Sequence, residues 1–127
     1  MKKRSETNIL IVDDEPAIRW SLSEFFEDSS FRVTSAESGE EALDLMASSH
    51  FDVAIVDLRL PGMSGDAMIV KANEIDSSTR FIIHTGSAGY ALAEDLKKIG
   101  VRSEDVFLKP QPDLQAIVRA VQKMVSG

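Results

Sequence analysis

The stretch Phe51-Asp52-Val53-Ala54-Ile55-Val56-Asp57-Leu58-Arg59-Leu60-Pro61-Gly62 predicts the fold of this chain. Its central run, from Val53 to Val56, is short, apolar and rich in β-branched residues, and a carboxylate and a Pro-Gly turn follow it. A short apolar run bounded by turn signals is typical of a strand buried on both faces, as in a parallel sheet. We therefore expect Asp57 at the carboxyl end of that strand, the edge where open α/β sheets bind their ligands.

Four more runs of the same kind surround this stretch, and they predict strands at Asn8–Val12, Phe31–Ala36, Arg80–Thr85 and Asp105–Lys109. Helical spacing of apolar residues predicts five helices between and after these strands. The first begins at Pro16, the second follows a capping box at Ser38–Glu41, and the third follows a cap at Ser64. The fourth covers Ala88–Ile99, and the fifth begins at Pro112. The third helix is predicted to bury Met68, Ile69, Ala72 and Ile75. Five strands alternating with five helices predict an α/β fold with a parallel sheet and helices on both faces.

The composition excludes several classes of protein. With 127 residues, 43% of them hydrophobic and 28% charged, we expect one globular domain at 8–125, a short N-terminal tail at 1–7 and no second domain in this chain. The absence of cysteine excludes disulfides and thiolate metal sites. A net charge of −7 argues against nucleic-acid binding by this domain. No apolar stretch is long enough for a signal-peptide core or a membrane span, so we expect a cytoplasmic location.

Polar side chains lie at the carboxyl ends of four of the predicted strands, where parallel strands share one edge of the sheet. The first strand brings Asp13 and Asp14 there, the third brings Asp57, the fourth Thr85 and the fifth Lys109. Crowded carboxylates repel each other unless a cation compensates them, and Mg²⁺ suits this kind of oxygen ligand. A lysine and a hydroxyl opposite the metal would form a cradle for a tetrahedral anion. Because a carboxylate can act as the nucleophile in phosphoryl transfer, the set predicts aspartyl phosphate chemistry.

The sequence resembles a known family, the receiver (CheY-like) domains of two-component response regulators. The resemblance extends from Ile9 to Val125, and it rests on Val12-Asp13-Asp14-Glu15, the stretch from Asp57 to Gly65, His84-Thr85-Gly86 and Lys109-Pro110. It implies a flavodoxin-like, doubly wound sheet of strand order 2-1-3-4-5, which places strands one, three, four and five side by side. It also implies a phosphorylatable signalling switch.

By this resemblance, Asp57 is the phosphoacceptor that attacks the phosphohistidine of a sensor histidine kinase or phosphotransfer protein. Asp14 would ligate Mg²⁺ directly, Asp13 would help through water, and Asp57 and the backbone carbonyl of Arg59 would complete the protein ligands. Lys109 would pair with the carboxylate before transfer and with the phosphoryl group after it.

The resemblance also implies how the signal leaves the site. Thr85 would move to hydrogen-bond a phosphoryl oxygen, Gly86 would leave room for the incoming group, and the surface of helix 4, strand 5 and helix 5 would shift. Such a domain promotes its own phosphorylation and dephosphorylation and is not otherwise an enzyme. Its partners would be the kinase or phosphotransfer protein and an output domain or effector protein, and phosphorylation can drive dimerisation. Binding to nucleic acid or membrane is not expected of this domain.

The chain departs from the family pattern at two positions. Val106 stands where the family usually has the aromatic residue that follows the threonine shift, and Phe107, one residue later, is expected to face the other side of the sheet. Gln111 stands where an apolar residue is common. Arg59 and Ser87 occupy positions that tune the lifetime of the acyl phosphate in the family.

Two further residues have open roles at this point. Trp20 is expected to be partly exposed near the site edge, either as a partner contact or as incidental surface packing. His84 is expected to face away from the site, either as a packed histidine or, as the less favoured alternative, with a regulatory role.

The sequence argues against three functions other than a phosphorylatable switch. A degenerate receiver that acts only as a docking module would lack a site residue, and none is missing. A magnesium-dependent phosphatase of the haloacid-dehalogenase kind needs a second aspartate two residues after the nucleophile, where this chain has Arg59. A nucleotide- or flavin-binding module needs a Gly- or Ser/Thr-rich loop after the first strand, where this chain has Asp-Asp-Glu-Pro.

Overall fold

One parallel sheet organises the molecule. The structure is a computed structural model, and it describes residues 3–87 and 89–126. The five strands have the spatial order β2-β1-β3-β4-β5, with β1 at Asn8–Val12, β2 at Arg32–Ala36, β3 at Val53–Val56, β4 at Arg80–Thr85 and β5 at Val106–Leu108. This order confirms the predicted flavodoxin-like fold, and it places β1, β3, β4 and β5 side by side.

Five helices connect and follow the strands: α1 at Pro16–Asp28, α2 at Gly39–Ser48, α3 at Gly65–Ile75, α4 at Glu94–Ile99 and α5 at Leu114–Ser126. Two short 3₁₀ turns lie at Arg4–Glu6 and Ser103–Asp105. The Ser38 and Ser64 hydroxyls accept from the backbone N–H groups of Glu41 and Ala67, so both predicted serine caps are present. The Glu41 carboxylate accepts from the N–H of Glu37 rather than from that of Ser38, so the predicted capping box is only half formed.

Alternating strand residues form a core on each face of the sheet, because successive side chains of a strand point to opposite faces. On one face, Leu10, Ala54 and Ile83 pack with α2, α3 and Leu96 of α4. On the other face, residues such as Ile11 pack with α1 and α5. The strands are therefore covered on both faces, as the continuous apolar runs predicted.

The fourth helix differs most from the prediction. It begins at Glu94 rather than at Ala88, which itself lies outside the described residues. Gly89 has a φ of +77°, which a helix does not allow, and Gly100 ends α4 with a φ of +113°. The irregular segment before Glu94 therefore lengthens the connection after β4.

Smaller differences concern element ends: β2 begins at Arg32 rather than at Phe31, and β5 ends at Leu108 rather than at Lys109. Ile75 is 45% exposed rather than inward, since it occupies the last turn of α3, which passes the edge of the core. The strand predicted from Asp105 begins at Val106, because the preceding residues form a 3₁₀ turn. The last helix begins at Leu114 rather than at Pro112, and the Asp113 carboxylate accepts from the backbone N–H of Gln115 in its first turn.

No helix within the described ranges, 3–87 and 89–126, has both the length and the apolar character needed to cross a bilayer.

Candidate functional site

Backbone hydrogen bonds extend the strand ladders to the residues predicted for the site. The N–H of Asp13 donates to the Ala36 carbonyl of β2, and the N–H of Asp57 donates to the Val12 carbonyl of β1. The N–H of Lys109 donates in the same way to the carbonyl of Thr85. Because each bond fixes the first residue beyond a strand, the sheet itself sets the spacing of the side chains at this edge.

The Lys109 ammonium lies at the centre of these side chains. Its Nζ is 2.7 Å from Asp13 Oδ2, 3.1 Å from Asp57 Oδ2 and 3.4 Å from Glu15 Oε1. The lysine side chain is only 12% exposed, and those of Asp13 and Asp57 are 2% and 6% exposed. An ammonium has three N–H donors, so these three carboxylates use its whole hydrogen-bonding capacity.

Burial and charge act against each other in this cluster. Burial raises the pKa of Asp13 above its usual value, although the hydrogen bond from Lys109 opposes the rise. Burial also disfavours the charged form of Lys109, but hydrogen bonds and attraction from Asp13 and Asp57 outweigh it, so the pKa of Lys109 is raised. Lys109 therefore favours its charged form, and it lies beside Asp13, whose ionised form is disfavoured by burial.

Four carboxylates could hold a hard metal ion here. One oxygen from each of Asp13, Asp14, Glu15 and Asp57 lies within 4.8 Å of the others, with Asp14 and Glu15 exposed. The backbone N–H of Arg59 donates to Asp57 Oδ1, at an N–O distance of 3.2 Å, and orients that carboxylate. A set of hard oxygen donors that includes two exposed carboxylates has the chemistry and the access that Mg²⁺ requires.

Thr85 reaches the same edge from β4, and it is fully buried. Its hydroxyl accepts a hydrogen bond from the backbone N–H of Ser87, with the two atoms 3.2 Å apart. A Cβ added to Gly86 would meet nothing within 4 Å, so the position of a side chain at Gly86 is open. The Ser87 N–H thus ties the loop after β4 to the Thr85 hydroxyl, next to the open position at Gly86.

Three residues that support the site were given no role of their own from the sequence, although two of them lie in its motifs. Glu15 reaches Lys109, and its N–H donates to Asp13 Oδ1. The Arg19 guanidinium donates to the Asp13 carbonyl at 2.7 Å, which holds α1 against the loop after β1. Gly65 donates its N–H to the Leu58 carbonyl, and a Cβ at this position would lie 2.7 Å from Leu58 Cα and even closer to the Asp57 carbonyl oxygen.

The remaining predicted side chains lie around this centre. Trp20 is 66% exposed on α1, as expected. His84 is 3% exposed and lines a cavity between α1 and the start of α5. Val106 packs with the core on the α2–α4 face, whereas Phe107 packs with the opposite core, so Phe107 cannot replace the missing aromatic. The Tyr90 hydroxyl, from the loop before α4, donates to Asp66 of α3 at 3.2 Å.

Sequence comparisons find relatives that match nearly the whole chain. The profile of the response regulator receiver domain family matches residues 9–122. The Bacillus subtilis protein named sporulation initiation phosphotransferase F is 33% identical over 115 residues, which cover 91% of this chain and 90% of that protein. The cell cycle response regulator CtrA of Brucella ovis is 28% identical over 121 residues, but this chain spans only 51% of that protein's length.

Solved structures agree with these relatives. A CheY-like receiver domain protein from Methanospirillum hungatei superposes with a TM-score of 0.82 and 26% identity, over 94% of both chains. The response regulator TrrA of Thermotoga maritima, solved in complex with Mg²⁺ and BeF, superposes with a TM-score of 0.80 and 27% identity over 93% of this chain and 98% of that chain. By fold, by the match over 9–122 and by these relatives, the chain belongs to the response regulator receiver domain family.

Proposed function

We propose that this receiver domain is a phosphorylatable switch in which Asp57 accepts a phosphoryl group from a phosphohistidine. The donor would be a sensor histidine kinase or a phosphotransfer protein. The observation that carries the proposal is the Lys109 ammonium, 3.1 Å from Asp57 and 2.7 Å from Asp13 at the carboxyl edge of the sheet. A carboxylate nucleophile beside a fixed cation is the pair that phosphoryl transfer needs.

In the proposed reaction, Asp57 Oδ2 attacks the phosphorus atom of the phosphohistidine. The new O–P bond forms as the N–P bond breaks, and the departing imidazole nitrogen takes up a proton. Lys109 follows the negative charge from the carboxylate to a phosphoryl oxygen, while Asp13 keeps its position through the Arg19 and Glu15 bonds. The N–H of Arg59 holds the other Asp57 oxygen, so the attacking one stays oriented.

Mg²⁺ fits the donor set at this edge. Asp14 would ligate it directly, Asp13 through water, and Asp57 and the Arg59 carbonyl would provide the other protein oxygens. The ion supplies charge neutralisation between the carboxylate and the phosphoryl oxygens when it is bound. Without it, Lys109 alone balances three carboxylates, which supports the requirement for a second cation.

The proposed output begins at Thr85. Its hydroxyl would leave the Ser87 N–H and donate to a phosphoryl oxygen, which pulls the loop after β4 toward the site. The shift would pass to the surface of α4, β5 and α5, where an output domain, an effector protein or a second copy of the chain reads it. The domain would also promote hydrolysis of its own acyl phosphate, with Arg59 and Ser87 tuning its lifetime.

The partner assignment rests on family membership and on the relative named as a phosphotransferase. We propose residues 8–125 as the functional receiver unit, acting in the cytoplasm, where the kinase domains that carry phosphohistidine act. Nucleic acid and membrane are not proposed as partners of this domain, in keeping with its net charge of −7.

The test is the intact mass of the protein after incubation with Mg²⁺ and acetyl phosphate. The wild type should gain one phosphoryl group that hydroxylamine removes, because hydroxylamine cleaves acyl phosphates. Asp57→Asn should gain none. Asp44→Asn, an exposed change on α2, is the matched control and should behave like the wild type.

Two results would contradict the proposal. One is a phosphoryl group on Asp57→Asn as well as on the wild type. The other is a wild type that acquires none from acetyl phosphate or from phosphorylated histidine kinases and phosphotransfer proteins.

Trp20 is the residue that we propose as the contact for the phosphodonor protein. It lies one turn into α1, beside a shallow concavity of about 330 Å³ lined by Pro16, Arg19, Ser23 and Ser35. An exposed tryptophan at the rim of a site can anchor an interface. Trp20→Ala should slow transfer from a phosphohistidine protein at least tenfold and leave phosphorylation by acetyl phosphate unchanged, whereas Lys71→Ala on α3 should change neither.

A further inference from the structure

A buried histidine without partners lies beneath the face formed by α1 and α5. His84 is 3% exposed, and neither of its ring nitrogens has a hydrogen-bond partner among the described residues. Burial, followed by the positive charge of Lys109, lowers the pKa of His84 to about 4, so its ring is neutral at pH 7. A neutral imidazole offers one N–H donor and one acceptor nitrogen, and leaving both unpaired in the interior is unfavourable.

A cavity lies against this ring. It has a volume of about 160 Å³ and opens between α1 and the loop that enters α5. Its walls are largely apolar, formed by Ile18 and Leu22 of α1, Leu114 of α5 and Pro110. An apolar cavity of about 150 Å³ in another protein is large enough to hold a benzene ring.

The charges around the cavity favour a neutral occupant. Lys109 also lines it, but its ammonium already donates to three carboxylates, those of Asp13, Asp57 and Glu15. No donor of Lys109 is left for an anion, and apolar walls disfavour any charge that is not paired. The other polar groups at the cavity, the Ser21 hydroxyl and the Gln111 amide, are neutral.

We propose that this cavity is a binding site for a small neutral aromatic molecule that carries a ring hydroxyl or N–H, with His84 as the group that recognises its polar atom. The apolar ring of the ligand packs on Ile18, Leu22 and Leu114, and its polar atom pairs with an imidazole nitrogen. Both nitrogens are covered in the free protein, so binding moves the half-buried side chains at the mouth, Gln111 and Leu114.

The site has a direct connection to the phosphoacceptor edge. Lys109 lines the cavity and also bonds to Asp57, and His84 precedes Thr85 in β4. An occupant that displaces the lysine stem by a small distance alters the Nζ position opposite the nucleophile. Occupancy of the cavity should therefore change the rate of Asp57 phosphorylation. This coupling rests on the proposed function, whereas binding itself does not.

The probes are phenol and toluene, which have the same shape but differ in the hydroxyl. Phenol titrated into ¹⁵N-labelled wild type should shift amide signals around the cavity and the ring ¹⁵N signals of His84, with saturation at millimolar concentration. Toluene should bind at least tenfold more weakly, because only phenol has a hydroxyl that can pair with the imidazole. His84→Leu should abolish this preference, and Ser21→Phe, an exposed change at the mouth, should block both probes.

Several outcomes would overturn the proposal. They are equal affinity for phenol and toluene in the wild type, shifts scattered away from the cavity, or phenol binding that survives Ser21→Phe unchanged. Slowly exchanging water contacts at the His84 ring without phenol binding would assign the unpaired nitrogens to buried water instead. If His84→Leu does not fold, the comparison of phenol binding by the wild type and by Ser21→Phe still tests the proposal.

A second measurement tests the connection to the phosphoacceptor. Saturating phenol should change the rate of phosphorylation by acetyl phosphate at least threefold in the wild type and leave it unchanged in Ser21→Phe. An unaltered wild-type rate would overturn the coupling through Lys109. If Asp57 is not phosphorylated under any condition, the proposed switch fails, and the binding titration is still readable.

Discussion

Two acidic clusters lie at opposite edges of the sheet, and they hold their carboxylates in opposite ways. At the amino edge, His50 bridges Asp76, 2.7 Å from its Nδ1, and Asp52, 3.4 Å from its Nε2. Asp52 also accepts from the backbone N–H of Asn8 at the start of β1. At the carboxyl edge, a lysine takes the place of the histidine, and the cluster is far more buried.

The same side chain type has opposite pKa shifts in the two clusters. Hydrogen bonds from Ser78 and then from His50 lower the pKa of Asp76 to about 2. Burial raises the pKa of Asp13. The amino edge therefore favours the ionised form of Asp76, whereas burial at the carboxyl edge disfavours the ionised form of Asp13.

Removing Lys109 should affect the carboxyl edge most. Lys109→Met leaves Asp13 and Asp57 buried without their cation, so the free energy of unfolding should fall by about 3 kcal/mol, as when one partner of a buried ion pair is deleted. The rate of phosphorylation by acetyl phosphate should fall about 100-fold. Urea unfolding and intact-mass time courses measure the two effects.

The control for this change is Lys71→Met, at an exposed position of α3, and it should alter neither quantity. A Lys109→Met protein as stable as the wild type in the absence of Mg²⁺ would show that the carboxyl edge does not depend on its lysine.

Gly65 tests the backbone that supports Asp57. Gly65→Ala places a methyl group against Leu58 Cα and the Asp57 carbonyl, so β3 or α3 must shift. The free energy of unfolding should fall by about 2 kcal/mol, in the range of overpacked sites. Thermal or urea unfolding measures it, with Gly86→Ala as the matched control, because a Cβ there meets nothing within 4 Å. If both changes lowered the free energy of unfolding equally, the close approach of Gly65 to the backbone of Asp57 and Leu58 would be refuted.

Asp13→Asn should reveal the cost of the buried carboxylate. Since the pKa of Asp13 is raised in the folded protein, ionisation of this group lowers stability as the pH rises above its unfolded value of 3.8. At pH 7 without metal, the neutral amide should raise the free energy of unfolding by about 1 kcal/mol and weaken Mg²⁺ binding. The control is the exposed Asp14→Asn, which should weaken Mg²⁺ binding without that gain in stability. A loss of stability in Asp13→Asn would contradict the inference that the buried Asp13 carboxylate destabilises the fold.

Asp76→Asn should give the smallest effect and the opposite sign. The lowered pKa of Asp76 gives stability that is present above pH 3.8 and is lost as the pH falls toward about 2. The variant should lose less than about 1 kcal/mol at pH 7, because the pair is partly exposed, and its stability should depend less on pH between 4 and 2. Chemical denaturation across that range tests it, with Asp44→Asn as control; an unchanged pH profile would contradict it.

The strands and the cluster of side chains at the carboxyl edge could be predicted because their determinants are local. The bounds of β1, β3 and β4 agree with the apolar runs at Asn8–Val12, Val53–Val56 and Arg80–Thr85. Fold class then places the strand ends together, since parallel strands that alternate with helices leave few arrangements. The predicted side chains of Asp13, Asp57 and Lys109 meet for that reason.

The features that could not be predicted from the sequence depend on contacts between distant parts of the chain. Nothing local distinguishes Gly65 from any glycine after a serine cap, because its requirement comes from the backbone of another element. Arg19 looks like an ordinary surface residue of a helix until its bond to the Asp13 carbonyl is seen. The first turns predicted for α4 were wrong because the prediction rested on a sparse stripe of Leu92, Leu96 and Ile99, and the φ of +77° at Gly89 does not fit a helix.

The bond between the Thr85 hydroxyl and the Ser87 N–H has a thermodynamic consequence for any switch built on it. Trading this neutral bond for a charge-assisted one to a phosphoryl oxygen gains roughly 1–2 kcal/mol, because charge-assisted bonds are about twice as strong. A difference of that size changes a two-state population ratio about fivefold to thirtyfold. Phosphorylation would then bias an equilibrium that already exists, and any substitution that weakens the Thr85–Ser87 bond would raise the resting output of the domain.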